Sequence, residues 1–153
     1  MFSAMPTPSG GPELVVAAVL QRDGRYLVGQ RPPHKRYGGL WEFPGGKAHD
    51  GESLPAAATR ELHEELDLVV EETRSELFAH PDPGSALTIV FLEVMARGEP
   101  RLHEHTAVAW LTLTELAHLP LAPSDTAFVA FLSAGHVPPP NTRTSDASPR
   151  SDA

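Results

Sequence analysis

The chain has 153 residues, 41% of them hydrophobic, and a formal net charge of −8. This length suits one globular domain with a core of its own, and the acidic balance excludes a general nucleic-acid or membrane surface. Cysteine is absent, which removes disulfide and thiol chemistry and fits a cytoplasmic protein.

The opening MFSAMPTPSGGPE has neither the basic nor the apolar region of a signal peptide, and no apolar run reaches transmembrane length. Residues 1–13 read as a flexible arm. Leu14 to Gln21 is a valine-rich apolar run, expected as a buried strand. Asp23-Gly24 is a turn signal, and Arg25 to Arg31 is expected to return as the second strand of a hairpin. Prolines and glycines bracket a loop carrying His34, Lys35, Arg36 and Tyr37. A short piece, Leu40 to Phe43, then leads into Pro44-Gly45-Gly46.

A helix is expected over Ser53 to Leu66. Ser53 is its N-cap, Pro55 suits the first turn, and Leu54, Ala57, Ala58, Leu62 and Leu66 form the buried stripe. Leu68 to Phe78 reads as a strand, His80 to Gly84 as a turn, and Ala86 to Ala96 as another strand. A polar loop, Gly98 to Thr106, precedes a short strand at Val108 to Leu111. Thr112 to Leu119 suggests a capped helical turn and Ser124 to Ser133 a last helix. The domain is expected over residues 14–134, with a Pro- and Ser-rich disordered tail over 135–153. Strands on both sides of a central helix, with a further helix at the end, indicate an α/β sandwich around a mixed sheet.

The most informative stretch is GKAHDGESLPAAATRELHEELDL, from Gly46 to Leu68. On a helix, positions three and four apart share a face, so Glu61 sits beside Glu64 and Glu65. Carboxylates so placed repel one another unless a cation sits among them. Magnesium is typically held by a few carboxylates together with substrate phosphates. The physical reading is therefore a magnesium–diphosphate site. The plainer reading is an acidic solvated helix face.

The segment resembles the Nudix box, in which a glycine is followed at fixed spacing by Glu, by Arg-Glu, by Glu-Glu and by a glycine–aliphatic pair. Gly46, Glu52, Arg60, Glu61, Leu62, Glu64, Glu65 and Leu68 match that pattern, and Asp67 stands where the family has glycine. The resemblance implies a Nudix fold, an α/β/α sandwich around a mixed β-sheet. It implies magnesium, with manganese as a substitute, bound by Glu61, Glu64 and Glu65 and by a backbone carbonyl near Gly45. Such an ion neutralises a diphosphate and activates water. Which glutamate acts as base stays open among the three. The family role of Arg60 is to orient a glutamate, and that of Glu52 is structural. Asp67 lies near the helix end, where glycine adopts a left-handed conformation that Asp tolerates better than most residues.

Outside the box, VVAAVLQRDGRYLVGQRPP and GLWEFPGGK resemble the opening of MutT-type members, which hydrolyse nucleoside triphosphates to the monophosphate and pyrophosphate. That likeness implies substrate contacts for Arg31 and Gly46 and a place near the base pocket for Phe43. A strand-end arginine and a core aromatic are the plainer readings of Arg31 and Phe43, and Trp41 reads as core. HEHTAVAWL is similar to a loop carrying an additional acidic metal ligand, which puts Glu104 in that role. The flanking His103 and His105 offer a transition-metal pair as the alternative. LPLAPSD resembles the segment that reads the base, with Asp125 at the reading position. An acid there suits an amine-bearing base, and an Asp at a helix N-terminus is its plainer role.

The resemblance thus implies an enzyme acting on (d)NTPs, oxidised or modified ones included. It implies a nucleotide substrate; the acidic balance and the lack of a long apolar run argue for no nucleic-acid polymer and no membrane, and a monomer or homodimer is expected. Hydrolysis of ADP-ribose or of dinucleoside polyphosphates is the alternative within enzymes. A non-catalytic nucleotide sensor is the alternative outside them.

Overall fold

The computed structural model describes residues 13–138. The expected arm, apart from Glu13, and the tail from residue 139 lie outside the described residues.

Strand β1 (Glu13–Val19) lies between β5 (Gly45–Lys47) and β7 (Leu87–Arg97), and β6 (Val69–Pro81) closes that sheet in the order β5-β1-β7-β6. β1 runs parallel to β7, with Val16 opposite Val90, and antiparallel to β5, with Val16 opposite Gly46. The sheet is therefore mixed. A second sheet joins β2 (Gln21–Arg22), β3 (Arg25–Gln30) and β4 (Trp41–Glu42), with β8 (Ala107–Leu111) pairing β3.

The apolar run of β1 is continuous because both of its faces are covered, as in buried strands generally. Successive side chains point to opposite faces. Val16, Ala18 and Leu20 face Ala57, Ala58, Leu62 and Leu66 of helix α1 (Leu54–Leu66). Ala17 and Val19 face the other way, in a cluster with Leu116 of α2 (Leu113–Leu116) and with Phe128, Val129 and Leu132 of α3 (Pro123–Ser133). The result is an α/β/α sandwich around a mixed sheet, with two cores divided by β1 and β7.

Local expectations hold where short-range chemistry decides them. Ser53 caps α1, its hydroxyl accepting from Ala56 N at 3.2 Å. Asp67 ends α1 in the left-handed region at φ 58°. Thr112 and Glu115 form a reciprocal capping box on α2. Asp23 and Gly24 both have positive φ, as a two-residue hairpin turn requires.

Long-range pairings differ from expectation. The hairpin across Asp23-Gly24 uses only Gln21 and Arg22 on its first arm, while residues 14–19 leave for the other sheet. β6 runs on through His80 and Pro81, because those residues pair with Ile89 and Thr88. α3 begins at Pro123, and its N-cap, Ala122, has no side-chain bond to offer.

Candidate active site

A cleft of about 490 Å³ opens beside β5 and the middle of α1. Glu61, Glu65, Glu104, Arg31, Lys35, Glu42 and Asp125 are among the residues that line it.

The helix end of the cleft is organised by Arg60. Its guanidinium donates to both oxygens of Glu52, each at 2.9 Å, and to Lys47 O at 3.0 Å. Nη1 reaches Glu61 Oε2 at 3.0 Å and Glu64 Oε1 at 3.4 Å. One planar fork thus ties the glycine turn, the helix entry and two glutamates together. Glu52 also accepts from His49 N at 2.9 Å. The Arg60 hydrogen bond, followed by that backbone bond, holds its carboxyl down at about 2.

Gly45 and Gly46 both have a reason to be glycine. A Cβ on Gly46 would lie 2.4 Å from Glu61 Oε2, and one on Gly45 would lie 1.8 Å from Val16 O. The first glycine lets backbone approach a carboxylate, and the second lets two strands approach each other.

The three box glutamates differ in environment. The Glu64 side chain is 57% exposed, that of Glu61 only 15%. Glu65 is buried, and its Oε1 has no hydrogen-bond partner. Burial first, and the adjoining Glu61 carboxylate second, push the Glu65 carboxyl far above the usual carboxylate range. Among the described residues, no three carboxylates or imidazoles stand together as a finished metal cage. Arg60 draws on Glu61 and Glu64, and Lys35 forms an ion pair with Glu104. A buried, unpartnered carboxylate oxygen beside a second carboxylate is nevertheless what a hard cation would satisfy, and the donors are all oxygen. The residues fit a magnesium-type ion.

Asp125 is buried and its Oδ1 accepts from Phe43 N at 2.8 Å. It also lies in the first turn of α3, where an acid is favoured, so the helix N-terminal role holds beside this contact. Burial, followed by the charge of Glu42, raises its carboxyl well above the ordinary value. The side chain of Phe43 is in the core, edge-on to Tyr26, Phe91 and Phe128. Phe43 lines the cleft, and its backbone N–H orients Asp125.

Arg31 lines the cleft. It donates through Nη1 to Glu42 Oε1 at 2.7 Å and through Nε to Arg36 O at 2.6 Å. The other Glu42 oxygen meets Nε2 of buried His105 at 3.0 Å. Sequence reasoning passed over Glu42. The available signal was an acid between two aromatics on a short strand next to the glycine turn. Lys35, Tyr37 and Asp82 were passed over as well, and all three line the cleft. Tyr37 Oη donates to Asp82 Oδ1 at 3.0 Å, docking the 32–39 loop on the turn after β6.

His103 and His105 do not form a metal pair. His103 turns to Asp67, 2.9 Å away, and His105 turns to Glu42. Glu104 points into the cleft between them. The Lys35 hydrogen bond, more than any other contact, lowers its pKa.

Comparison with known proteins agrees with this geometry. The NUDIX domain family model matches residues 12–132. The CTP pyrophosphohydrolase of Escherichia coli is 40% identical over 115 residues, 72% of this chain and 84% of that protein. The solution structure of the E. coli ORF135 protein superposes with a TM-score of 0.70 at 32% identity, covering 95% of this chain and 100% of that one. A MutT NUDIX hydrolase from Burkholderia pseudomallei gives 0.64 at 30% identity, over 78% and 97% of the two chains. A box helix with its arginine fork, a glycine-backed carboxylate cluster and a family match spanning the whole sandwich lead to one conclusion: the chain belongs to the Nudix hydrolase family, among its MutT-like members.

Proposed function

We propose that this protein hydrolyses nucleoside triphosphates to the monophosphate and pyrophosphate with a divalent cation, magnesium by preference and manganese as a substitute. The observation that carries this reading is the polarity of the cleft. Glu65, with an unpartnered buried carboxylate oxygen, and Glu61 line it together with a second buried acid, Asp125. The cations Arg31 and Lys35 line the same cleft.

In this reading Glu61, Glu64, Glu65, Glu104 and the Gly45 carbonyl hold the cation. The ion's chemistry is to neutralise the phosphates and make water a stronger nucleophile. The residues of the chain do the rest. Arg60 keeps Glu61 and Glu64 aimed. Gly46 leaves room for Glu61. Arg31, itself steadied by Glu42, offers its remaining donors to phosphate oxygens.

Asp125 selects the base. Its carboxyl oxygens are acceptors, one of which, Oδ1, accepts from Phe43 N. An acceptor there complements an exocyclic amine, which cytosine, adenine and guanine carry and uracil and thymine lack. The 40% identical relative named CTP pyrophosphohydrolase supports cytosine.

The test is product-resolved turnover with magnesium across CTP, dCTP, the other standard triphosphates, oxidised and methylated forms, ADP-ribose and a dinucleoside polyphosphate. Monophosphate plus pyrophosphate, greatest for cytosine nucleotides and lost in EDTA, is expected. Activity confined to ADP-ribose or the dinucleotide would overturn the reading, and tight binding without turnover would make the protein a sensor.

A further inference from the structure

The residue that departs from the box pattern has a partner. Asp67 ends α1 at φ 58°, the left-handed geometry that glycine adopts without strain. Its side chain does something glycine cannot: Oδ2 lies 2.9 Å from Nε2 of His103 and 3.9 Å from Nε of Arg101. Both partners belong to the loop between β7 and β8. The backbone reinforces the junction, since Arg101 N donates to Leu66 O at 2.9 Å. At its other end the loop is tied to β3, where Thr106 N donates to Gln30 O at 3.0 Å.

Between these ties sit His103, Glu104 and His105, and each grips a different element. His103 holds the end of α1, Glu104 meets Lys35 of the 32–39 loop, and His105 reaches Glu42 on β4. The Lys35–Glu104 and His103–Asp67 contacts are similarly exposed, so neither is strong by itself, but the second is backed by the backbone bond from Arg101 N to Leu66 O. The direction of Glu104 is set by its two neighbours, one anchored on either side. One of those anchors is the end of the helix that carries Glu61, Glu64 and Glu65. Glu104 is also close enough to Glu65 to act on it electrostatically.

We infer that Asp67 and His103 are positioning residues: their contact locks the 98–106 loop to the end of the box helix and so holds Glu104 over the glutamates of that helix. The substitution of the box glycine is then a coupling between the two parts of one cation site. This rests on the reading of Glu104 as a cation ligand.

The experiment reads manganese binding to the nucleotide-free protein by electron paramagnetic resonance, with thermal melting in parallel. Asp67→Gly restores the residue of the box pattern and removes the tie. It is expected to weaken manganese binding by roughly tenfold, the lower end of what partners of metal ligands contribute. His103→Ala, which leaves the helix end untouched, is expected to do the same. Asp67→Asn keeps an acceptor for His103 and is expected to restore binding. In a Glu104→Gln background, Asp67→Gly is expected to add nothing further. If Glu104→Gln weakens binding while both Asp67→Gly and His103→Ala bind as the parent does, the positioning role is overturned and the cation site stands. An equal further loss from Asp67→Gly in the Glu104→Gln background overturns it too. If Glu104→Gln itself binds manganese as tightly as the parent, the assignment of Glu104 falls, and the inference falls with it.

Discussion

Arg60 grips Glu52 through two parallel hydrogen bonds, Nε to Oε2 and Nη2 to Oε1, both 2.9 Å long. The pair joins the start of α1 to its middle, with Lys47 O held by the same guanidinium. Its pH dependence follows from the depressed carboxyl of Glu52, which falls from an ordinary 4.5 to about 2. A group whose folded pKa is lowered stabilises fully above its unfolded value, and that contribution fades as pH falls toward the folded one. The melting temperature of Glu52→Gln is therefore expected to lie below that of the parent at pH 7. The gap should close between about pH 4.5 and 2. Melts recorded from pH 7 to 2.5 check this, and a gap that ignores pH would contradict it.

The two glycines of β5 should fail in different ways. Gly45→Ala drives a methyl group against the Val16 carbonyl of β1, which is backbone in a buried strand and has nowhere to go. A loss of about 1–3 kcal/mol of stability, the usual range for overpacking, is expected in urea melts. Gly46→Ala meets only the end of the Glu61 side chain. It should leave stability within about 1 kcal/mol of the parent. Turnover should fall by about 10–100-fold, because Glu61, a proposed cation ligand, is displaced. The reverse pattern would contradict the placement of Glu61.

Asp125→Ala removes the only acid buried beside Phe43 N among the described residues. The ratio of kcat/KM for CTP over UTP is expected to drop by roughly 5- to 150-fold, the equivalent of about 1–3 kcal/mol of base discrimination. Asp125→Asn, which keeps an acceptor oxygen, should keep most of that ratio. An unchanged ratio in the alanine variant would leave Asp125 as a structural partner of Phe43 alone.

The parts of the fold that were readable from the chain are those decided locally. Ser53 as cap, Pro55 in the first turn, Asp67 in the left-handed region and the Thr112–Glu115 box depend on neighbours within a few residues. The carboxylate face of α1 is likewise a consequence of helical spacing. What could not be read depends on partners far along the chain. The parallel pairing of β1 with β7 joins residues more than 70 positions apart, so the first strand leaves the hairpin that the Asp-Gly turn suggested. Phe43 presents its backbone to Asp125 because its ring is claimed by Tyr26, Phe91 and Phe128. Glu42 looks like one acid on a two-residue strand. It becomes central to the cleft only when Arg31 and His105 are folded against it. Two histidines flanking Glu104 look like a ligand pair until the loop is seen to turn them in different directions.

The most direct test of the central claim is CTP turnover by Glu65→Gln, measured on protein shown to be folded by circular dichroism and thermal melting. Gln keeps the volume of the side chain and removes a buried carboxylate that has an unpartnered oxygen and faces Glu61. The account predicts a melting temperature equal to or above that of the parent. It also predicts a fall in kcat of about 10²- to 10⁴-fold, as for loss of a group essential to activating water. A folded Glu65→Gln protein that retains turnover within about threefold of the parent would place the chemistry elsewhere and contradict it.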